Sequence, residues 1–197
     1  MSSPPSGTVT FLFTDIEGST RLWEERPDEM RVLVAEHDAR FRAAIEANGG
    51  HIFATGGDGF AVAFSRAADA VTTAEQCQAA LADLPDIKVR MGLNTGEVDE
   101  RDGDYFGPPV NATARLMAAG HGGQVLLAAV TANLVSGLDL KHLGEHRLRD
   151  LGSPISVWQL GGASFPPLRS LGSAPSNLPR PLPSFVGRAD DVDAIAA

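Results

Sequence analysis

The chain has 197 residues, a formal net charge of −9, 43% apolar residues and 21% charged ones, which suits one soluble domain with a real core plus an extension. The acidic balance and the lack of any Lys/Arg cluster argue against DNA or RNA as a partner, because a polyanion needs a basic stripe. The single cysteine, Cys77, cannot build a disulfide framework within one chain, and no apolar run approaches the ~20 residues that span a bilayer.

The N-terminal MSSPPSG has neither the basic nor the apolar region of a signal peptide, so the expected location is cytoplasmic. Residues 8–14 are β-branched and aromatic with no turn residue and predict a strand. Gly18 to Glu25 predicts a short helix, interrupted near Pro27. Asp28 then caps a longer helix to about Ala47, with Met30, Val34, Phe41, Ala44 and Ile45 at near-helical spacing and Asn48 to Gly50 as the stop. HIFAT and FAVAF flank the turn residues GGDG (Gly56 to Gly59) and predict a hairpin.

Arg66 to Leu81 predicts a helix, in which Cys77 reads as a packing residue. Val89 to Val98 predicts a strand, residues 99–104 a polar loop, Val110 to Ala119 a helix and QVLLA a strand. HLGEHRLRDL and PISVWQL predict a closing hairpin. The H-x3-H spacing of His142 and His146 reads as strand surface, since no cysteine pair precedes it. The order β-α-β-β-α-β with further C-terminal elements predicts an α+β fold of the ferredoxin-like kind. Residues 162–184 hold six of the thirteen prolines and five serines with no apolar period, so residues 1–161 read as the domain and 162–197 as a linker or tail.

Two aspartates stand where such a fold exposes functional groups: Asp15 at the end of the first strand, and Asp58 between the hairpin glycines. The strand and hairpin are expected to be neighbours, which lets the carboxylates converge. Oxygen ligands without histidine or cysteine favour Mg²⁺ or Mn²⁺, and a pair of such ions suits phosphoryl chemistry. Either aspartate alone is equally well read as a helix cap or a turn residue. After Asp15, EGST opens a helix whose free amides and dipole can receive an anion. The sequence has no P-loop and no G-x-G-x-x-G after a strand. Asn111 and Arg115 are four apart, so they share a helix face and can steady an anionic transition state; taken alone they are also ordinary surface residues.

FLFTDIEGST, TGGDGFAVAF, VRMGLNTGEV and DYFGPPVNATARL occur together and in this order. The set resembles the catalytic domain of class III nucleotidyl cyclases, the adenylate and guanylate cyclase family, over roughly residues 8–160. The subtype is similar to bacterial soluble cyclases that open with FTDIEGSTRLWE. The resemblance implies two Mg²⁺ or Mn²⁺ ions per site, held by Asp15, Asp58 and the carbonyl of Ile16. It implies that the amides of Gly18, Ser19 and Thr20 hold the triphosphate, that Arg90 contacts phosphate, and that Arg149 replaces a lysine binding the terminal phosphates. Asp104 would accept a hydrogen bond from the adenine amino group, Asn111 would orient the ribose, and Arg115 would steady the transferring phosphate. The substrate implied is ATP.

In this family the metal residues and the Asn/Arg pair of one site come from different subunits, which implies a head-to-tail homodimer with two shared sites. One position departs from the family: Ala54 stands where the base-selecting lysine is expected, four residues before Asp58. A methyl group cannot donate to an adenine ring nitrogen, so weak or loosely selective cyclisation is expected. A catalytically degenerate nucleotide-binding or dimerisation module is the alternative. NLPRPLPSFVGRADDVDAI resembles the lead-in to a signalling ATPase of the NB-ARC kind, which implies a signalling partner reached through the tail.

Overall fold

In the computed structural model, which describes residues 4–84 and 86–171, the first apolar run forms β1 (Gly7–Ile16). It alternates as a strand covered on both faces must. Leu12 and Ile16 enter one apolar cluster, whereas Val9 and Phe11 enter another with Ala63 and Tyr105. The strand is longer than the predicted 8–14 at both ends. Pairing with the neighbouring strand continues through Asp15↔Arg90 and Ile16↔Val89, so Asp15 sits within the strand.

Two helices follow, α1 (Ser19–Glu25) and α2 (Pro27–Ala47). Asp28 does not cap α2, contrary to expectation: Arg26 is the N-cap and Pro27 the first helical residue. Proline's fixed φ suits that position, and Asp28 falls into the first turn, where its charge still favours the helix dipole. Met30, His37, Phe41 and Ile45 are buried along one stripe of α2. The hairpin is β2 (His51–Thr55) and β3 (Phe60–Phe64), followed by α3 (Ala67–Ala79) and β4 (Val89–Arg101). The strand order β2-β3-β1-β4, with every neighbour antiparallel, is that of the ferredoxin-like unit.

The expected polar loop at 99–104 is instead the end of β4, a two-residue turn and β5 (Asp104–Phe106), with Arg101 opposite Asp104. Asp102 and Gly103 have φ of 55° and 83°, the left-handed pair that a tight hairpin turn requires. Next come α4 (Pro108–Ala119), β6 (Val125–Ala128), a one-turn α5 (Ala129–Ala132) not expected from the sequence, β7 (Leu140–His146) and β8 (Ile155–Leu160). β6 runs parallel to β4, β8 pairs antiparallel with β6, and β7 pairs antiparallel with β8 at the edge of the sheet. The β7 strand stops at His146, earlier than expected, and RLRDL is a turn region. His142 bonds Ser156 Oγ across the β7–β8 pair at 2.8 Å.

The α2 and α3 helices cover one sheet face, with α4 and the β4–β5 hairpin on the other. No helix among the described residues is long and apolar enough to cross a membrane. The tail from 172 onward, with its ATPase-like lead-in, lies outside the described residues.

Cys77 is fully buried in α3, and burial pushes its thiol up to about 12. At pH 8 the thiolate that reacts with alkylating agents is therefore scarce. Iodoacetamide should label Cys77 at pH 8 only after denaturant is added, and rapid labelling of the native protein would contradict this packing.

Candidate active site

The hairpin turn lies directly on the end of β1. In GGDG the Gly56 amide donates to the Gly59 carbonyl at 3.0 Å, and the Asp58 amide to the Gly56 carbonyl at 2.7 Å. The β1–β3 ladder has Phe13↔Ala61 as its last pair on this side, after which the Phe60 amide donates to Thr14 Oγ1 at 3.0 Å. A Cβ on Gly59 would lie 2.1 Å from the Thr14 carbonyl oxygen and 3.4 Å from Asp15 Cα. Only glycine permits that approach, which presses the turn carrying Asp58 against the end of β1 that carries Asp15.

Asp58 Oδ2 is buried and has no hydrogen-bond partner among the described residues. Leaving a buried carboxylate oxygen without a donor is costly, and a bound cation is the usual complement. Asp15 Oδ2 instead accepts from Arg90, at 2.8 Å from Nε and 2.7 Å from Nη2. The Ile16 side chain is 1% exposed in the core, so only its main chain is left to the site. These donors are all oxygens, and they fit Mg²⁺ or Mn²⁺ better than a softer metal. Among the described residues no group of three His, Cys, Asp or Glu gathers, so an ion here would rely on two carboxylates and the main chain. An ion on Oδ2 would share that oxygen with Arg90 or displace the guanidinium, whereas Arg90 leaves Asp15 Oδ1 untouched.

Gly18 has φ 74° and is the N-cap of α1, with no side-chain capping bond; Ser19 and Thr20 open the helix. The preceding residue, Glu17, is tied down. Its amide donates to the Lys88 carbonyl at 2.8 Å, and Oε2 accepts from the Gly122 amide at 3.0 Å. Its Oε1 pairs with Arg169. Burial alone would raise the Glu17 carboxyl, but the Gly122 amide and Arg169 outweigh it and hold the group below the usual range.

Asn111 and Arg115 are both exposed on α4, while Thr113, Leu116 and Ala119 turn inward. Arg115 Nη2 pairs with Asp150 Oδ2 at 2.8 Å. Asp150 has φ 60°, a left-handed turn conformation that aspartate tolerates better than most residues. Among the described residues, no hydrogen bond or ion pair joins Asn111 or Arg115 to Asp15 or Asp58. Asp104 is exposed on β5, and its Oδ1 accepts from the Tyr105 amide at 2.8 Å. Arg149 is exposed, with Nε 3.9 Å from Asp150 Oδ2. Ala54 is exposed on β2 opposite Ala61.

Sequence reading missed Asp150, the Asp15–Arg90 pair and the Glu17–Arg169 pair. The Asp15–Arg90 pair follows from the β1–β4 register, which no local pattern supplies. Glu17 and Arg169 are 152 positions apart. It also missed His37, fully buried behind the hairpin with its ring centroid 5.8 Å from that of Phe60. Burial holds His37 below its ordinary pKa, against the pull of Asp38 and Asp58.

Residues 1–162 match the family described as the adenylate and guanylate cyclase catalytic domain. An uncharacterized protein of Mycobacterium tuberculosis (strain H37Rv) is 44% identical over 197 residues, covering 94% of this chain and 68% of that protein. An adenylate cyclase of Schizosaccharomyces pombe is 31% identical over 175 residues, covering 74% of this chain but only 10% of that much longer protein. Among solved structures, an adenylate cyclase from Trypanosoma brucei, described in its monomeric state, superposes with a TM-score of 0.77 at 28% identity, covering 86% of this chain and 97% of that one. The adenylyl cyclase CyaB from P. aeruginosa superposes at 0.71 with 24% identity, covering 84% and 97%, a likeness of fold. With the family match spanning residues 1–162 and the fold shared with solved cyclase domains, the chain belongs to the adenylate and guanylate cyclase catalytic domain family.

Proposed function

We propose that this chain converts ATP to 3′,5′-cyclic AMP and pyrophosphate at two sites shared across a head-to-tail homodimer. The observation that carries the reading is the buried Oδ2 of Asp58, without a hydrogen-bond partner among the described residues, on a turn that Gly59 presses against the Asp15 end of β1. Asp15, Asp58 and the Ile16 carbonyl would hold two Mg²⁺ or Mn²⁺ ions. When bound, such ions acidify the ribose 3′-hydroxyl and neutralise phosphate charge.

The rest of the chemistry is positioning and electrostatics. The 3′-oxygen bonds to the α-phosphorus, the bond from that phosphorus to the β-phosphate oxygen breaks, and the hydroxyl proton leaves to solvent. Gly18, Ser19 and Thr20 amides would hold the triphosphate, with Arg90 on phosphate and Arg149 on its terminal end. Asn111 would orient the ribose and Arg115 would meet the charge building on the α-phosphate, both reaching into the partner's site. Asp104 would accept from the adenine amino group. The reading is of a cytoplasmic signalling protein, with the tail beyond residue 161 reaching a further signalling partner.

Ala54 favours a second reading, a nucleotide-binding or dimerisation module that regulates a partner without turnover. The lost lysine contact is worth ~1–3 kcal/mol, or about ten- to hundredfold in base discrimination, which weakens selectivity and leaves the phosphate machinery untouched. Purified protein with Mn²⁺ and either ATP or GTP decides between them. Cyclic AMP should form, with ATP preferred over GTP by less than about a hundredfold. Nucleotide binding with no cyclic product would support the second reading, and product mainly from GTP would remove the role given to Asp104.

A further inference from the structure

Glu17 occupies an awkward place. It lies between Ile16 and Gly18, in the segment read above as holding ions and triphosphate. A free carboxylate there would repel a bound triphosphate or compete for its ions. The fold turns it away: Oε2 is taken by the Gly122 amide at 3.0 Å and Oε1 by Arg169. Gly122 leaves room for this, since a Cβ there would lie 2.9 Å from Glu17 Oε2 and 2.5 Å from Lys88 Cβ.

Arg169 comes from the segment that follows β8, and that segment is fastened to the domain. Leu168 is 4% exposed and packs with Leu116, Ala119, Leu126 and Leu148. The Arg169 amide donates to the Ala119 carbonyl at 2.9 Å, the Leu171 amide to the Arg147 carbonyl at 2.8 Å, and His121 Nε2 to the Pro167 carbonyl at 3.1 Å. The guanidinium is therefore delivered by anchored chain. Ala119 is also the last residue of α4, the helix that carries Asn111 and Arg115.

We propose that Arg169 is a positioning residue of the nucleotide site, acting through Glu17, and that it links nucleotide affinity to the docking of the segment at 162–171. The inference rests on reading Asp15 to Thr20 as the ion- and phosphate-holding segment. With Arg169 in place, Glu17 is neutralised and held off the triphosphate; with residues 166–171 lifted, its charge is released toward it.

The test is a double-mutant cycle in the full chain, read by the affinity of a fluorescent ATP analogue with Mn²⁺, alongside KM and kcat. Arg169→Met should weaken binding and raise KM about fivefold, a partly exposed pair being worth no more, with kcat within about twofold. Arg169→Lys should keep most of the affinity. In a Glu17→Gln background, Arg169→Met should change affinity less than about twofold, because no carboxylate remains to be held. Equal losses in both backgrounds would make Arg169 a strap residue only and overturn the inference, as would unchanged affinity or a fall in kcat alone. A wild type that binds nucleotide without cyclising it sinks the cyclase reading and leaves this one to be read by binding. A wild type that binds none overturns both.

Discussion

Asp15→Ala and Arg115→Ala, each inactive alone, should regain roughly a quarter of wild-type activity when mixed in equal amounts. Random pairing makes half the dimers mixed, and each mixed dimer holds one intact site of two. The single losses are expected to be large. Removing a group that meets transition-state charge costs about 10²–10³-fold, and Asp15 has no neighbouring carboxylate to replace it except Asp58. Two observations motivate the shared-site arrangement. Asn111 and Arg115 make no hydrogen bond or ion pair with either aspartate, and both are exposed on α4. Arg115 is held by Asp150 within its own chain, and meeting a phosphate requires it to leave or share that pair. Cyclic AMP is measured in the single variants and in the mixture. A mixture no more active than its components would show that each site is built within one chain or that no dimer forms.

Gly59→Ala should be the most damaging small substitution in the hairpin. Its Cβ would meet the Thr14 carbonyl oxygen at 2.1 Å, a backbone atom of an interior strand that cannot step aside. The hairpin has to lift instead. Overpacking of this kind costs roughly 1–3 kcal/mol, and losing the bond from the Phe60 amide to Thr14 Oγ1 adds about 1 kcal/mol. Catalysis should suffer more than stability. A shift of about 1 Å in Asp58 relative to Asp15 is enough for a loss on the order of a hundredfold. Gly56→Ala is the stability control, because a Cβ there meets nothing within 4 Å and its φ is not left-handed. Urea unfolding should show a clear loss for Gly59→Ala and almost none for Gly56→Ala. Equal midpoints for the two would mean that the close approach does not hold the hairpin.

Much of this was legible along the chain because it depends on local periodicity. The β-branched and aromatic run TVTFLFT predicts β1, the near-helical spacing from Met30 to Ile45 predicts α2, and the glycines around Asp58 predict the hairpin. The misreadings share a cause as well. The polar loop expected at 99–104 is a tight hairpin because Glu100 and Arg101 become strand residues only through their pairing with β5. The strand expected through RLRDL stops at His146 because β8 offers no partner beyond Ile155.

The local sequence marks out the candidate site residues: two acidic positions, a helix opening in EGST, and an amide and a guanidinium one helical turn apart. Those follow from residue type and short spacing. What each charge faces is set by the assembled fold. Asp15 meets Arg90 because strand register puts them opposite each other, Asp58 is left with an unpaired oxygen because Gly59 presses the turn against β1, and Glu17 is held aside by Arg169 from the other end of the domain. Such pairings cost loop-closure entropy that only the completed core repays, so no local stretch of the chain could contain them.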